Sequence, residues 1–317
     1  MIATLRAILL RQHHRSNNSL GIGTLREQVI EAKMLSARVL INQMKLRGIV
    51  SSIHEAEFKV FSQFGDDGII QYLVHSVGIP EDQRVFVEFG VENYEEANTR
   101  FLLMNDNWRG LVMDGSPENM SHARTSPYYW KCDLTAVAAF INRENINDLL
   151  HDQGFSGKIG LLSIDIDGND YWVWERIEVV DPIVVIVEYN SVFGVEHAVT
   201  IPYDPDFRRT HAHYSNLYWG CSHRALCLLA ERKGYVFVGC TSVGNNAYFI
   251  RRDKLGALKG LSAEQGYVMS RFRESRDISG QLNYLTGKER LQEISGLNVY
   301  DLVQDRITTI AKLFKIT

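Results

Sequence analysis

The stretch VFVEFGVENYEEANTRFLL at residues 85–103, followed by WRGLVMDGS at 108–116, decides the fold. Val85 to Phe89 is a short apolar run, Gly90 stops it, and a polar stretch leads into a helical pattern over 95–105 before a second apolar run, Gly110 to Met113. The alternation continues outward from this pair. Further apolar runs at Ile159 to Ile164, Pro182 to Val187, Tyr235 to Gly239 and Ala247 to Ile250 are separated by helical patterns over 135–151, 170–178 and 222–233. This is the rhythm of a mostly parallel sheet with crossover helices. The closely spaced last pair, GYVFVG and NNAYFIRR, predicts an antiparallel hairpin turning through Thr241 to Asn245. An α/β domain over 58–252, with a sheet of about seven strands ending in that hairpin, is therefore expected.

Helical additions are expected at both ends, over 1–57 and 253–317. Residues 24–47 lack Gly and Pro and place Leu25, Ile30, Met34, Leu35, Ile41 and Met44 at helical spacing, with Thr24 and Glu27 as a capping box and Gly48 beyond the end. This helix also suits a homodimer interface. Residues 189–221 break the strand and helix rhythm with many aromatic and His residues, the composition of an acceptor-binding insertion in which sugar C–H faces meet aromatic rings.

The bulk numbers exclude several classes. Lys plus Arg number 34 and Asp plus Glu 38, for a net charge of −4 without a basic run, so nucleic acid is not an expected partner. No apolar window is long enough for a transmembrane segment. Arg6 interrupts the short apolar start and no cleavage site follows, which predicts a mature N-terminus and a cytoplasmic protein. Cys132, Cys221, Cys227 and Cys240 have no paired short spacing and are expected as reduced core thiols.

A nucleoside cofactor on an open parallel sheet sits at the carboxyl ends of the strands, so the polar residues that follow each run are its candidate contacts. After the first run come Glu88 and Gly90, then Asn98 and Thr99 near a helix start; after the second comes Asp114, suited to ribose hydroxyls. A third, weaker strand is expected before Lys131-Cys132-Asp133, whose Asp133 could accept from an adenine amino group. Asp165, Asp167 and Asp170 follow the fourth, and Glu188 and Asn190 the fifth.

Taken in order, VFVEFGVENYEEANTRFLL, WRGLVMDGS, LLSIDIDGNDYWVW, IVVIVEYNS and GYVFVGCTSVGNNAYFIRRD resemble the FkbM-type branch of S-adenosylmethionine-dependent methyltransferases. FSQFGDDGII at 61–70 resembles the S-Q-x-G-[ED]-D segment that often precedes that domain. The resemblance covers residues 58–252 and implies a Rossmann-like class I fold, S-adenosylmethionine as cofactor, and methylation of a hydroxyl on a sugar, a polysaccharide or glycolipid precursor, or a secondary metabolite. It further implies that Glu88, Gly90, Asn98, Asp114 and Asp133 face the cofactor and that Gln63 and Asp67 close over it. One departure stands out. The superfamily's G-x-G-x-G run is reduced to Gly90, with Glu92 and Tyr94 at the later glycine spacings.

The acceptor hydroxyl needs a base, and Asp165, Asp167, His211 and His213 are the candidates. Gly168 is expected to turn the chain after the fourth strand, and repulsion between Asp165 and Asp167 to raise one pKa. Asp165, Asp167, Glu188 and Asn190 would form an oxygen ligand set for Mg²⁺. Three rival readings attach to the same chain. IDIDGND resembles a phosphatase nucleophile loop with Asn169 in place of Thr, Asp165-x-Asp167 matches the metal motif of nucleotide-sugar glycosyltransferases, and a non-catalytic binding module would use the aromatic stretch.

Overall fold

A computed structural model describes residues 21–316; the reading of the first ten residues lies outside that range. The chain divides into two compact units at Leu46 and Arg47. In the first, helix α1 (Ile22–Arg47) buries Met34, Ala37 and Ile41 and leaves Leu25, Leu35 and Val39 exposed. Thr24 is the third residue of this helix and not its cap, while Gly48 follows its end in the left-handed conformation that expectation required. No described helix is long and apolar enough to cross a membrane.

The second unit is built on a seven-stranded sheet. Its elements run α2 (Asp66–Val77), β1 (Val85–Phe89), α3 (Arg100–Asp106), β2 (Arg109–Asp114), α4 (Pro117–Thr125), β3 (Leu134–Ala138), α5 (Ile146–Asp152), β4 (Gly157–Ile164), α6 (Asp170–Arg176) and β5 (Val180–Glu188). They continue through β6 (Val199–Thr200), α7 (Arg209–Ala212), α8 (His223–Arg232), β7 (Tyr235–Cys240) and β8 (Asn246–Arg251). The strand order is β3-β2-β1-β4-β5-β8-β7, with the first five parallel and β8 antiparallel to both neighbours. This is a mostly parallel Rossmann-like sheet closed by a hairpin. β1 and β4 are neighbours from which the chain winds in opposite directions, so their carboxyl ends leave a crevice. Both faces are covered, and Val87, Phe89, Leu111, Leu162, Val185 and Phe249 join one apolar core.

Two expectations fail here. Residues 135–151 are not one helix: LTAVA forms β3, pairing Gly110 with Leu134 and Asp114 with Ala138, and the helix begins only at Ile146. The alanines favour a helix locally, but the open edge of β2 offers a ladder to a segment whose Leu134 and Ala136 face inward, and pairing overrides propensity. The segment from 253 onward is not mainly helical either. It contains the short helices α9 (Ala263–Gly266), α10 (Gly287–Glu293) and α11 (Ile310–Phe314), and strands β9 (Asn298–Asp301) and β10 (Arg306–Thr309). Those strands form a second sheet with β6, in the order β10-β9-β6. Phe193, Val199 and Leu217 from the insertion pack with Ile294, Val299 and Ile310 from the tail, so the two segments share one small core.

Candidate functional site

A cavity of about 370 Å³ lies over the carboxyl ends of the central strands. Gln63, Glu88, Gly90, Asn98, Asp114, Asp165, Asp167 and Glu188 all line it. Its volume suits a small molecule held in a largely formed pocket.

The loop after β1 forms one wall. Gly90, Glu92 and Tyr94 all take left-handed backbone conformations, at φ 72°, 48° and 62°. The path of a glycine-rich loop is thus kept although two of its positions carry side chains, a strained arrangement that the surroundings must enforce. Tyr94 is fully buried and hydrogen-bonds Thr99 Oγ1 at 3.0 Å, while the Glu92 amide donates to Asp114 Oδ2 at 2.9 Å. Gly90 itself cannot be replaced cheaply, because a Cβ there would lie 1.5 Å from the Asp165 carbonyl oxygen. The close approach it permits is therefore between the β1 and β4 loops.

Glu88 accepts from the Asn98 amide at 2.8 Å and from the Thr99 amide and hydroxyl at 3.0 and 2.5 Å, capping the chain where it enters α3. Burial pushes its carboxyl up to about 7 against these bonds. Asp114 ends β2, and besides the Glu92 amide it accepts from the Ser116 amide at 2.8 Å and Asn119 Nδ2 at 3.1 Å, which fixes its carboxylate at the cavity edge.

The opposite wall is an acid cluster. Carboxylate oxygens of Asp165, Asp167 and Glu188 lie within 4.8 Å of one another. Loss of water around the carboxyls, then repulsion within the cluster, raises both Asp165 and Glu188 well above the usual carboxylate range. The turn below them is made differently from the sequence expectation. Asp167, not Gly168, adopts the left-handed conformation, at φ 56°, and Gly168 instead makes room for the Phe207 ring, 2.4 Å from where a Cβ would stand. Asp170 points inward and accepts from the Ile166 and Gly168 amides at 2.8 and 2.9 Å. It shapes the loop and does not line the cavity.

Several expected contacts are absent from this cavity. Asp67 is buried, and its Oδ2 accepts from the amides of Val60, Phe61 and Ser62 at 2.7 to 2.8 Å; it folds the 60–62 segment and does not close over the cavity. Thr99 acts only through Glu88 and Tyr94. Asp133 precedes β3 instead of following a strand, so it lies at the amino end of the sheet, exposed, 4.0 Å from the Arg109 Nε. Asn190 spends its side chain on the Leu217 and Trp219 carbonyls and the Val192 amide, outside the acid cluster. His211 is exposed on α7, and His213 turns to Ser215 Oγ at 2.7 Å; neither lines the cavity.

From the same insertion the structure brings in Arg209 and Phe207, which sequence reasoning passed over. Arg209 donates to Asp167 Oδ1 at 2.5 Å and to Glu274, with its guanidinium over the Trp219 ring at 4.5 Å. The Arg208-Arg209 doublet amid aromatics was the available signal. Phe140, Ile141 and Asn246 also line the cavity.

No protein-family model and no curated protein matches the sequence. Among solved structures, the chain is similar to the N-terminal domain of EvdMO1 with SAH bound, at 12% identity over 68% of this chain and 96% of that one, with a TM-score of 0.40. It is also similar to a SAM dependent methyltransferase from Aquifex aeolicus, at 9% identity over 67% and 98% of the two chains with a TM-score of 0.36. An O-methyltransferase from Bacillus cereus in complex with SAH gives 12% identity, 69% and 89% coverage and a TM-score of 0.35.

Proposed function

We propose that this protein is an S-adenosylmethionine-dependent O-methyltransferase acting on a hydroxyl of a sugar or sugar-like acceptor. The observation that carries the reading is the cavity at the β1/β4 crevice. One wall offers the left-handed 90–94 loop with Asp114, and the other offers Asp165, Asp167 and Glu188. Asp114 suits the ribose hydroxyls, Glu88 and Asn98 flank the amino-acid end, and Phe140 and Ile141 supply an apolar surface for the base. Bound S-adenosylmethionine supplies an electrophilic methyl group.

The chain's own part in the reaction is alignment and proton removal. The acceptor oxygen must sit about 3 Å from the methyl carbon and opposite the sulfur. As the oxygen–carbon bond forms and the carbon–sulfur bond breaks, the hydroxyl proton passes to a carboxylate of the cluster, leaving methylated acceptor and S-adenosylhomocysteine. Asp167 is the acid best placed for this, exposed at the cavity and oriented by Arg209, whereas Asp165 and Glu188 are buried beside it. Calorimetric titration with S-adenosylhomocysteine is expected to give one site per chain with micromolar affinity; no binding to the folded protein would remove the methyltransferase reading.

A metal-assisted form of the same reaction is favoured by one observation, the convergence of three carboxylates. Asp165, Asp167 and Glu188 fit a divalent cation by donor chemistry, and a cation among them would offset the burial and mutual repulsion that raise Asp165 and Glu188. Asn190, with its amide fully used, does not belong to the set. A bound Mg²⁺ would lower the pKa of the acceptor hydroxyl. Dialysis against a chelator is then expected to abolish turnover, with Mg²⁺ restoring it; full activity in the metal-stripped protein would leave Asp167 as the base.

A further inference from the structure

The main cavity is lined by acids on both walls, and among the described residues that line it Arg209 alone is basic. Four groups fix that side chain. Its Nη1 donates to Asp167 Oδ1 at 2.5 Å, its Nη2 to Glu274 and its Nε to the Asn216 carbonyl at 3.2 Å, while the Trp219 ring lies 4.5 Å from the guanidinium carbon. The Arg209 side chain is only 13% exposed, against 57% for Asp167 and 48% for Glu274. Asp165 and Glu188 attract the guanidinium through space as well.

Its placement owes as much to packing as to charge. Phe207, two positions earlier, fills the space that Gly168 leaves open beside Asp167, which sets the start of α7 against the β4 loop. The guanidinium thereby stands on the same carboxylate that a divalent cation would use. Such a cation takes carboxylate oxygens at roughly 2.0 to 2.6 Å. An ion on Asp167 would therefore stand within about 5 Å of the guanidinium, and like charges at that spacing repel strongly away from bulk water. Stripping a mostly buried guanidinium of a carboxylate partner is costly in turn, so the pair resists displacement.

We infer that Arg209 is the built-in counter-ion of the acid cluster: its guanidinium and a divalent cation are alternative partners for Asp167, so that Arg209 sets how tightly the cluster takes a metal. The inference rests on the metal-assisted form of the reaction proposed above, and it makes the metal-free and metal-assisted forms exclusive states of one site. It is tested on the full chain, at one pH, with Mn²⁺ alone. Octahedral oxygen sites take Mg²⁺ and Mn²⁺ alike, and the electron paramagnetic resonance signal of free Mn²⁺ reports binding without any turnover. The parent protein is expected to bind Mn²⁺ only in the millimolar range, Arg209→Gln about tenfold or more tighter, and Arg209→Gln combined with Asp167→Asn no tighter than the parent. Should Arg209→Gln not fold, Glu274→Gln leaves Arg209 to Asp167 and is expected to weaken Mn²⁺ binding severalfold. A folded Arg209→Gln protein that binds no tighter than the parent, a gain that survives Asp167→Asn, or a Glu274→Gln protein that binds as well as the parent would each overturn the counter-ion role. Equal binding by the parent and Arg209→Gln sinks only that role, whereas no binding by either sinks the metal-assisted form with it. Titration with S-adenosylhomocysteine stands apart, because its failure removes the methyltransferase reading and leaves the Mn²⁺ result intact.

Discussion

Asp167→Asn is expected to lower turnover by roughly 10²-fold or more while S-adenosylhomocysteine affinity stays within a few fold. The structure supplies three reasons. Asp167 lines the cavity and its side chain is 57% exposed, so the carboxylate is open to an acceptor. Its left-handed backbone, φ 56°, is one that Asn tolerates nearly as well as Asp, so the loop should keep its shape. Its charge anchors Arg209 at 2.5 Å and contributes to the raised affinity of Asp165 and Glu188 for a proton. Removing that charge therefore deletes the base and loosens the guanidinium that orients it, without touching the wall that carries Asp114. Near-normal turnover in a folded Asp167→Asn protein would make Asp167 a turn residue and move the base to the Asp165 and Glu188 pair.

Asp114→Ala should raise the Kd for S-adenosylhomocysteine by roughly 10- to 150-fold, the loss of charge-assisted bonds worth about 1.5 to 3 kcal/mol. Each carboxylate oxygen of Asp114 already accepts from the protein, Oδ2 from the Glu92 amide and Oδ1 from the Ser116 amide and Asn119 Nδ2. The substitution also releases the strained 90–94 loop, so ligand contact and loop support are lost together. Asn119→Ala separates the two, since it removes one supporting bond and leaves the carboxylate; its affinity should stay within about threefold of the parent. Unchanged affinity in Asp114→Ala with a native circular dichroism spectrum would exclude Asp114 from the cofactor site.

The two histidines show why part of this site could not be read in advance. HAHYSN placed His211 and His213 in an aromatic loop, a sound reason to suspect a base, yet nothing local says which way a loop side chain turns. In the folded chain His213 turns to Ser215, two positions away, and Arg209 occupies the cavity instead. Asp67 teaches the same lesson, because its neighbours within SQFGDDG look polar and free, and only the folded loop shows four donors around one oxygen.

What the sequence by itself determined is the presence of β1, β2, β4 and β5 and the acids at their carboxyl ends. Apolar runs and the glycine or acid that ends each of them are local features, and crossover connections place successive carboxyl ends on one side of a sheet. Glu88, Gly90, Asp114, Asp165, Asp167 and Glu188 consequently share one cavity. Only the tertiary structure decided what depends on distant partners. β3 became a strand because β2 offered it an edge, and Asp133 thereby fell at the wrong end of the sheet. Arg209 reached Asp167 across 42 positions and Glu274 across 65. The tail supplied Glu274 because β9 pairs with β6 and draws the segment against the insertion. Such contacts leave no periodic trace in the chain, since their energy comes from burial and charge pairing that exist only after the sheet has closed.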